Sequence, residues 1–318
     1  MPITNQDQIT AAFVQEFDKG FQIACQQKES RLQGAVTDRG AITGASFTIN
    51  DLGKVVMRKR DASARFGATP LSIPEAGTRI VMMDDYDVYV PVEQFDLPKL
   101  IANPSGPYMD LMVAAANRTK DAVCFFAMGA DIYRRDSHAD KGTADGSATN
   151  ATQATLKSLP ASQKIGDPVT ANAKAMTVDD LIQAKVMFRA NECDEQNGEQ
   201  LFIGYNSAML RAILSEDKLT SADYAAFKAL QAGKMEAGNN LLGFNWIPYE
   251  VAGNTGANAG SYTTYAWAKS GIHFGTGIQY ATDVGPRRDL SNIIQLSARA
   301  SYGAGRTDEK KVVQLNFK

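Results

Sequence analysis

The 318-residue sequence predicts an α+β fold. Three observations carry that expectation. Two strand-like arms flank a polar, turn-rich tip across Ala45–Val92, a long helical pattern runs from Tyr108 to Arg135, and apolar residues alternate toward the C-terminus. An isolated two-stranded ribbon is marginal in water because it buries too little apolar surface. The arms therefore need something to lie on, and a neighbouring copy of the chain is the first candidate.

Taken in order, the chain opens with Ile9, Phe13, Phe17, Phe21 and Ala24 recurring every three or four positions, an aromatic stripe on a helix. That helix docks either on its own domain or on another copy. The polar stretch ESRLQGAVTDRGAITG that follows reads as a linker and favours another copy. The outgoing arm of the ribbon is ASFTINDLGKVVMRKR and the returning arm TRIVMMDDYDVYVPV. On the latter, Ile80, Met82, Tyr86, Val88, Val90 and Val92 share one face, interrupted by Asp84. Some twenty residues of arm would reach roughly 60 Å. Arg58, Lys59, Arg60 and Arg65 carry charge opposite to Asp84, Asp85 and Asp87, and the two sets pair within the ribbon or between copies. Exposed pairs of this kind are worth about 0–1 kcal/mol each and chiefly set register.

Pro107 suits the first turn of the long helix, a rod of about 40 Å. Leu111, Met112, Ala115, Ala122, Phe126, Ala130 and Tyr133 fall on one side, with Asp110, Asn117, Asp121 and Asp131 on another. Residues 136–174 lack strong periodicity and read as an exposed excursion with short strands near Thr155–Leu159 and Lys164–Val169. Thr177 and Asp180 form a capping box for a helix that buries Val178, Leu181, Ile182, Met187 and Phe188. A strand at Leu201–Tyr205, a helix at Ser207–Leu214, another over 221–232 and a strand in NWIPYEV follow. The last two apolar runs suggest a hairpin with Gly303, Gly305 and Asp308 near its turn.

Little here points to catalysis. The net charge of −2 gives no global footprint for nucleic acid or membrane. Three separated cysteines suggest free thiols in a reducing compartment. No secretory signal is recognisable, and no window of about 18 apolar residues would span a bilayer. His138 and His273 lack partners at zinc spacing. On a strand, Asp85 and Asp87 point one way and Asp84 the other, so a shared metal site would use two at most; solvated or partner-facing charges fit better. Gly275-Thr-Gly277 and Tyr302-Gly-Ala-Gly-Arg306 do not open apolar helices as phosphate cradles do, and read as turn glycines. No catalytic, cofactor-binding or metal-ligating residue is assigned.

The block from Leu201 to Glu250, LFIGYNSAMLRAILSEDKLTSADYAAFKALQAGKMEAGNNLLGFNWIPYE, resembles one typical of major capsid proteins of tailed bacteriophages. The ending from Tyr302 to Leu315 is similar to that family's as well. The order of elements matches over nearly the whole chain, and the sharper motif likeness covers about residues 177–318. The resemblance implies a Hong Kong 97-like fold with an N-terminal arm (1–34), an extended hairpin or E-loop (35–100) and a P-domain (101–175, spine helix 107–135). An A-domain (176–285) and return strands to the P-domain (286–318) complete it. It also implies self-assembly into hexamers and pentamers of an icosahedral virion shell made in the host bacterial cytoplasm. That shell would enclose double-stranded DNA without sequence-specific binding and without a membrane. Scaffolding, portal and decoration proteins are implied partners, and no cofactor is. Inter-subunit contacts are expected at Phe13, Phe17, Phe21, Arg58, Lys59, Arg60, Arg65, Asp84, Asp85 and Asp87. Two alternatives stay open: an encapsulin-like nanocompartment shell, and a divalent-metal enzyme using Asp84, Asp85 and Asp87.

Overall fold

The structure is a computed structural model that describes residues 26–59, 74, 76–92, 105–136, 155–167, 173–215, 242–250, 260–278, 280–289 and 293–318. The aromatic N-terminal stripe, the ribbon tip, the expected helix at 221–232 and His138 lie outside them. The chain divides into two compact units. The smaller comprises the described parts of Met1–Glu29, Asp87–Arg118 and Tyr280–Arg299, and the larger takes in the rest.

The larger unit is layered around a five-stranded sheet. Its strands are β7 (Lys164–Ile165), β14 (Val312–Phe317), β10 (Tyr262–Ala268), β8 (Leu201–Tyr205) and β9 (Asn245–Pro248), in that spatial order. Strand β10 is buried on both faces, as its run of Tyr, Ala and Trp suggests. Ala266 and Ala268 face a core shared with helices α2 (Val178–Ala190) and α3 (Ser207–Leu214). Tyr265 and Trp267 face the opposite core, with Cys124, Phe125 and Met128 of helix α1 (Ser105–Gly129) and with Leu32, Ala35 and Val36. Helix α2 begins on the expected capping box, in which Thr177 and Asp180 bond reciprocally. Helix α3 begins on Asn206, whose side chain accepts from the Met209 amide. On α2, Leu181, Ala184 and Phe188 turn inward, whereas Ile182 is 43% exposed, contrary to the expected face.

Helix α1 has Pro107 in its first turn and stops at Gly129, sooner than the apolar periodicity suggests. Residues Ile132–Asp136 form β5 instead. A Cβ on Gly129 would sit 2.1 Å from the Tyr265 hydroxyl, so the helix ends where Tyr265 crosses it. The expected faces of α1 hold at Met112, which is buried, and Asp110, which is exposed, but fail at Asp121, which is fully buried, and Phe126, which is 70% exposed.

A four-stranded sheet holds the base of the ribbon, in the order β2 (Ser46–Leu52), β3 (Ala76–Met82), β5 and β6 (Thr155–Lys157). The outgoing and returning arms do pair antiparallel, from Ser46 opposite Met82 to Leu52 opposite Ala76. The returning arm is not one strand, however. It breaks after Met82, and Asp84–Val92 forms β4, which pairs with β13 (Ile293–Arg306). The inward residues of β3 are Gly77, Arg79 and Val81; Met82 is 59% exposed, so the apolar face expected there is reversed.

In the larger unit, β11 (Ile272–Thr276) lies between β1 (Thr37–Ala41) and the second half of β13. Of the glycines read as turns, Gly275, Gly303 and Gly305 are inside these strands, and Gly277 lies in a bend just past β11. Gly275 pairs with Gly303, and Gly305 lies opposite His273. A Cβ would meet Ile42 at 2.8 Å from Gly275, the Met82 carbonyl at 2.6 Å from Gly303, and Val81 at 2.2 Å from Gly305. These positions form a bare backbone seat on which β2 and β3 lie. The chain turns at Glu309–Lys311, but β13 and β14 enter different sheets, so the hairpin expected of the last two runs does not form: β14 pairs with β10 and β7 instead.

In the smaller unit, β12 (Ala281–Arg287) pairs with Ile293–Arg299 of β13. Leu296 and Ala298 pack on Met112, with Val88 and Val90 alongside.

Because the seat has no room for a methyl group, Gly303→Ala and Gly305→Ala should each destabilise the chain by about 1–3 kcal/mol through overpacking. Gly34→Ala, with nothing within 4 Å of its added Cβ, should change stability by no more than about 0.5 kcal/mol. Denaturant melts of the three variants compare them directly.

Candidate functional site

Two places combine built-in anchoring with exposed surface: the base of the ribbon and the root of the N-terminal segment. At the first, the inward position of Arg79 on β3 puts its guanidinium in the interior, with 3% of the side chain exposed. It donates to both carboxylate oxygens of Glu309, at 2.6 and 2.8 Å, and to Asp51 on β2 at 3.2 Å. Asp51 also accepts from Arg134 on β5 at 3.0 Å. A Cβ at Gly77 would meet Asp51 and Arg134 at 2.6 Å, so glycine there makes room for that pair. Arg306, fully buried at the end of β13, donates to the carbonyls of Met128 and Ala130 at 2.8 and 2.9 Å. Glu309 lies 3.7 Å from it.

The charges support one another. Burial works against the charge of Arg79, but the hydrogen bonds and field of Glu309 and Asp51 outweigh it and raise the pKa. Burial likewise opposes ionisation of Glu309, yet Arg79 and Arg306 hold the carboxyl below its ordinary value. Burial lowers the pKa of Arg306, partly offset by Glu309. The base of the ribbon is thus tied to the β13–β14 corner by a bidentate ion pair.

From Leu52 to Lys59, the described part of the outgoing arm beyond the paired base is bare. Leu52, Val55, Val56 and Met57 are 77, 52, 73 and 97% exposed, and Gly53–Lys59 pairs with no strand. Lys54 reaches Glu192 at 2.6 Å, which draws the Glu192 carboxyl below its usual pKa. Of the residues singled out from the sequence, Arg58 and Lys59 are exposed just past this stretch. Asp84, Asp85 and Asp87 are exposed along β4. Phe13, Phe17, Phe21, Arg60 and Arg65 lie outside the described residues.

The second anchor is Asp121. Its two carboxylate oxygens accept from the Ser30 hydroxyl at 2.6 Å, the Arg31 amide at 2.9 Å and the Leu32 amide at 3.1 Å. Trp267 Nε1 donates to the Ala35 carbonyl at 2.9 Å. In the smaller unit, Arg118 donates to Gln26 and Asn117 to the Lys28 carbonyl. Residues read as a linker are therefore fastened in place, and Asp121, placed off the apolar side of the helix in the sequence reading, does the fastening.

His273 is half-buried and accepts from Arg39 Nε at 3.1 Å through Nδ1. Burial, with Arg39 and Lys311 nearby, pushes its pKa down to about 4, so the imidazole is neutral and structural. Burial raises the thiols, Cys193 to about 11 and Cys124 further, which keeps both protonated. Among the described residues no three His, Cys, Asp or Glu side chains converge as metal ligands.

Against this geometry the comparisons are consistent. A model of the family described as phage capsid protein matches residues 9–318. The chain belongs to that family, and it is a structural shell protein of a phage virion. Solved structures agree in fold. The chain is 16% identical to a protein of Mycobacterium phage Che8, covering 95% of this chain and 97% of that one, with a TM-score of 0.61. For the capsid of Ralstonia phage GP4 the values are 9%, 96%, 95% and 0.67. For the capsid of a native GTA particle computed with C5 symmetry they are 13%, 96%, 96% and 0.63. No curated protein sequence matches.

Asp121→Ala would remove three acceptor contacts at once. Hydrogen bonds to charged groups are worth about 1.5–3 kcal/mol, so a stability loss of about 2–3 kcal/mol is expected, with amide hydrogen exchange at Arg31 and Leu32 accelerated well above that of the β1 amides.

Proposed function

We propose that this chain is the major shell subunit of a tailed phage and builds hexamers and pentamers around double-stranded DNA. In this reading the fold is Hong Kong 97-like. Residues 1–34 are its arm, 35–100 its E-loop, 101–175 a P-domain with α1 as spine, 176–285 an A-domain, and 286–318 the returning strands. A-domains meet at capsomer centres, while the ribbon and the arm lie over adjacent copies. The aromatic residues Phe13, Phe17 and Phe21 give the arm its sticky face.

The observation that carries this is the contrast along the ribbon. Its base is held by a buried ion-pair network, yet Leu52–Met57 presents four apolar side chains to water. Exposed apolar residues that run together mark a surface awaiting a partner, and in a phage capsid protein the most abundant partner is another copy. The native GTA capsid, similar in fold, is one computed with C5 symmetry, in keeping with a reading that includes pentamers. Many modest contacts let misplaced subunits leave before a lattice closes, and together they hold a finished shell. A near-neutral net charge suits a container that must release DNA, since phosphate binding grows with the number of cationic contacts. Scaffolding and portal proteins are the expected further partners, assembly takes place in the host cytoplasm, and no chemistry is asked of the chain. The encapsulin-like and metal-enzyme alternatives draw no support from the matched family.

Electron microscopy of the full chain, expressed with and without its phage's scaffolding protein, tests the reading. Closed shells are expected, and deletion of residues 60–73 should leave folded subunits that fail to close. Normal shells from that deletion would remove the ribbon from the account, and a wild-type chain that stays monomeric under both conditions would overturn it.

A further inference from the structure

The sequence allows the ribbon's charges to pair within one chain or between copies, and the fold separates the two sets. Leu52 and Ala76 close the outer end of the β2–β3 hairpin, and Ser46 and Met82 close its inner end. Arg58 and Lys59 lie beyond the outer end. Asp84 and Asp85 follow the inner end, with Asp87 further along β4. The seven residues of β3 alone set the two ends about 20 Å apart at ~3.3 Å per residue. All five side chains are exposed, and no ion pair joins any of them to another described residue.

We propose that Arg58 and Lys59 of one copy lie against Asp85 and Asp87 on β4 of the next. This rests on the shell reading above and names the surface that receives the ribbon. Asp85 and Asp87 alternate on one exposed face of β4, and Tyr89, 45% exposed, follows at the same spacing. The contact thus joins a cationic pair trailing Val56 and Met57 to an anionic pair leading an aromatic ring. Both the charge and the apolar surface have a counterpart. Since the two patches differ, the contact is head-to-tail, the kind that closes rings when its rotation is right.

The test is a charge exchange in the full-length chain, read as particle yield by sedimentation and electron microscopy. Arg58→Glu with Lys59→Glu, and separately Asp85→Lys with Asp87→Lys, should each lower particle yield by about ten-fold or more, because like charges are then brought together. All four substitutions combined should restore most of the yield. Every variant's thermal melt should stay near that of the wild type, as all four positions are exposed. Wild-type yields from either double reversal would overturn the contact and leave the shell reading intact. A combined variant as defective as its parents would overturn it too, and would point to another partner for the basic pair, nucleic acid included. Monomeric wild type would defeat the shell reading and this contact with it.

Discussion

The structure depends first on the bidentate pair between Arg79 and Glu309. A ribbon two strands wide cannot hold its own direction. This one is aimed because β3 places an arginine inward, where a corner of the β13–β14 connection supplies a carboxylate. Asp51 and Arg134 extend the network across β2 and β5, and Arg306 carries it to the end of α1. A buried charge left alone is costly, so each member constrains the others. The bare glycines of β11 and β13 serve the same end, letting β2 and β3 lie directly on backbone.

That arrangement divides the ribbon into a fixed base and an exposed continuation. The division suits a shell subunit. In the proposed shell the base would point each ribbon the same way, so that identical contacts could repeat, and the exposed Leu52–Met57 would be the surface a neighbour covers. The root of the N-terminal segment is built on a similar plan. Asp121 and Trp267 fasten residues 30–35 through hydrogen bonds to side chains distant in sequence.

Much of this was legible in the sequence wherever local physics decides. The pairing of the two arms, the capping box of α2 and the cap of α3 follow from periodicity and turn chemistry, whereas the hairpin expected of the last two strands does not form. The failures share one cause, which is that contacts distant in sequence overruled local pattern. Arg79 faces inward because Glu309, 230 residues away, receives it, and this turns Ile80 and Met82 outward. Asp121 is buried because three donors at 30–32 meet it, and Phe126 is displaced to the surface. Gly303 and Gly305 mimic turn glycines, and only the crossing of β3 reveals them as a seat. Of the expected contact residues, the charges on the described part of the ribbon and on β4 are exposed as a contact surface requires. The family itself was recognisable from the ordered motifs of the C-terminal half, where no single motif was specific.

A double-mutant cycle on Arg79 and Glu309, followed by denaturant unfolding, tests the central claim most directly. Arg79→Met and Glu309→Met should each cost about 2–4 kcal/mol, since each takes the bidentate partner from a buried charge that keeps only a weaker one, Asp51 for Arg79 and Arg306 for Glu309. The double variant should cost clearly less than the sum, with a coupling of about 2 kcal/mol. Strictly additive losses, or single variants as stable as the wild type, would show that the pair does not hold the ribbon.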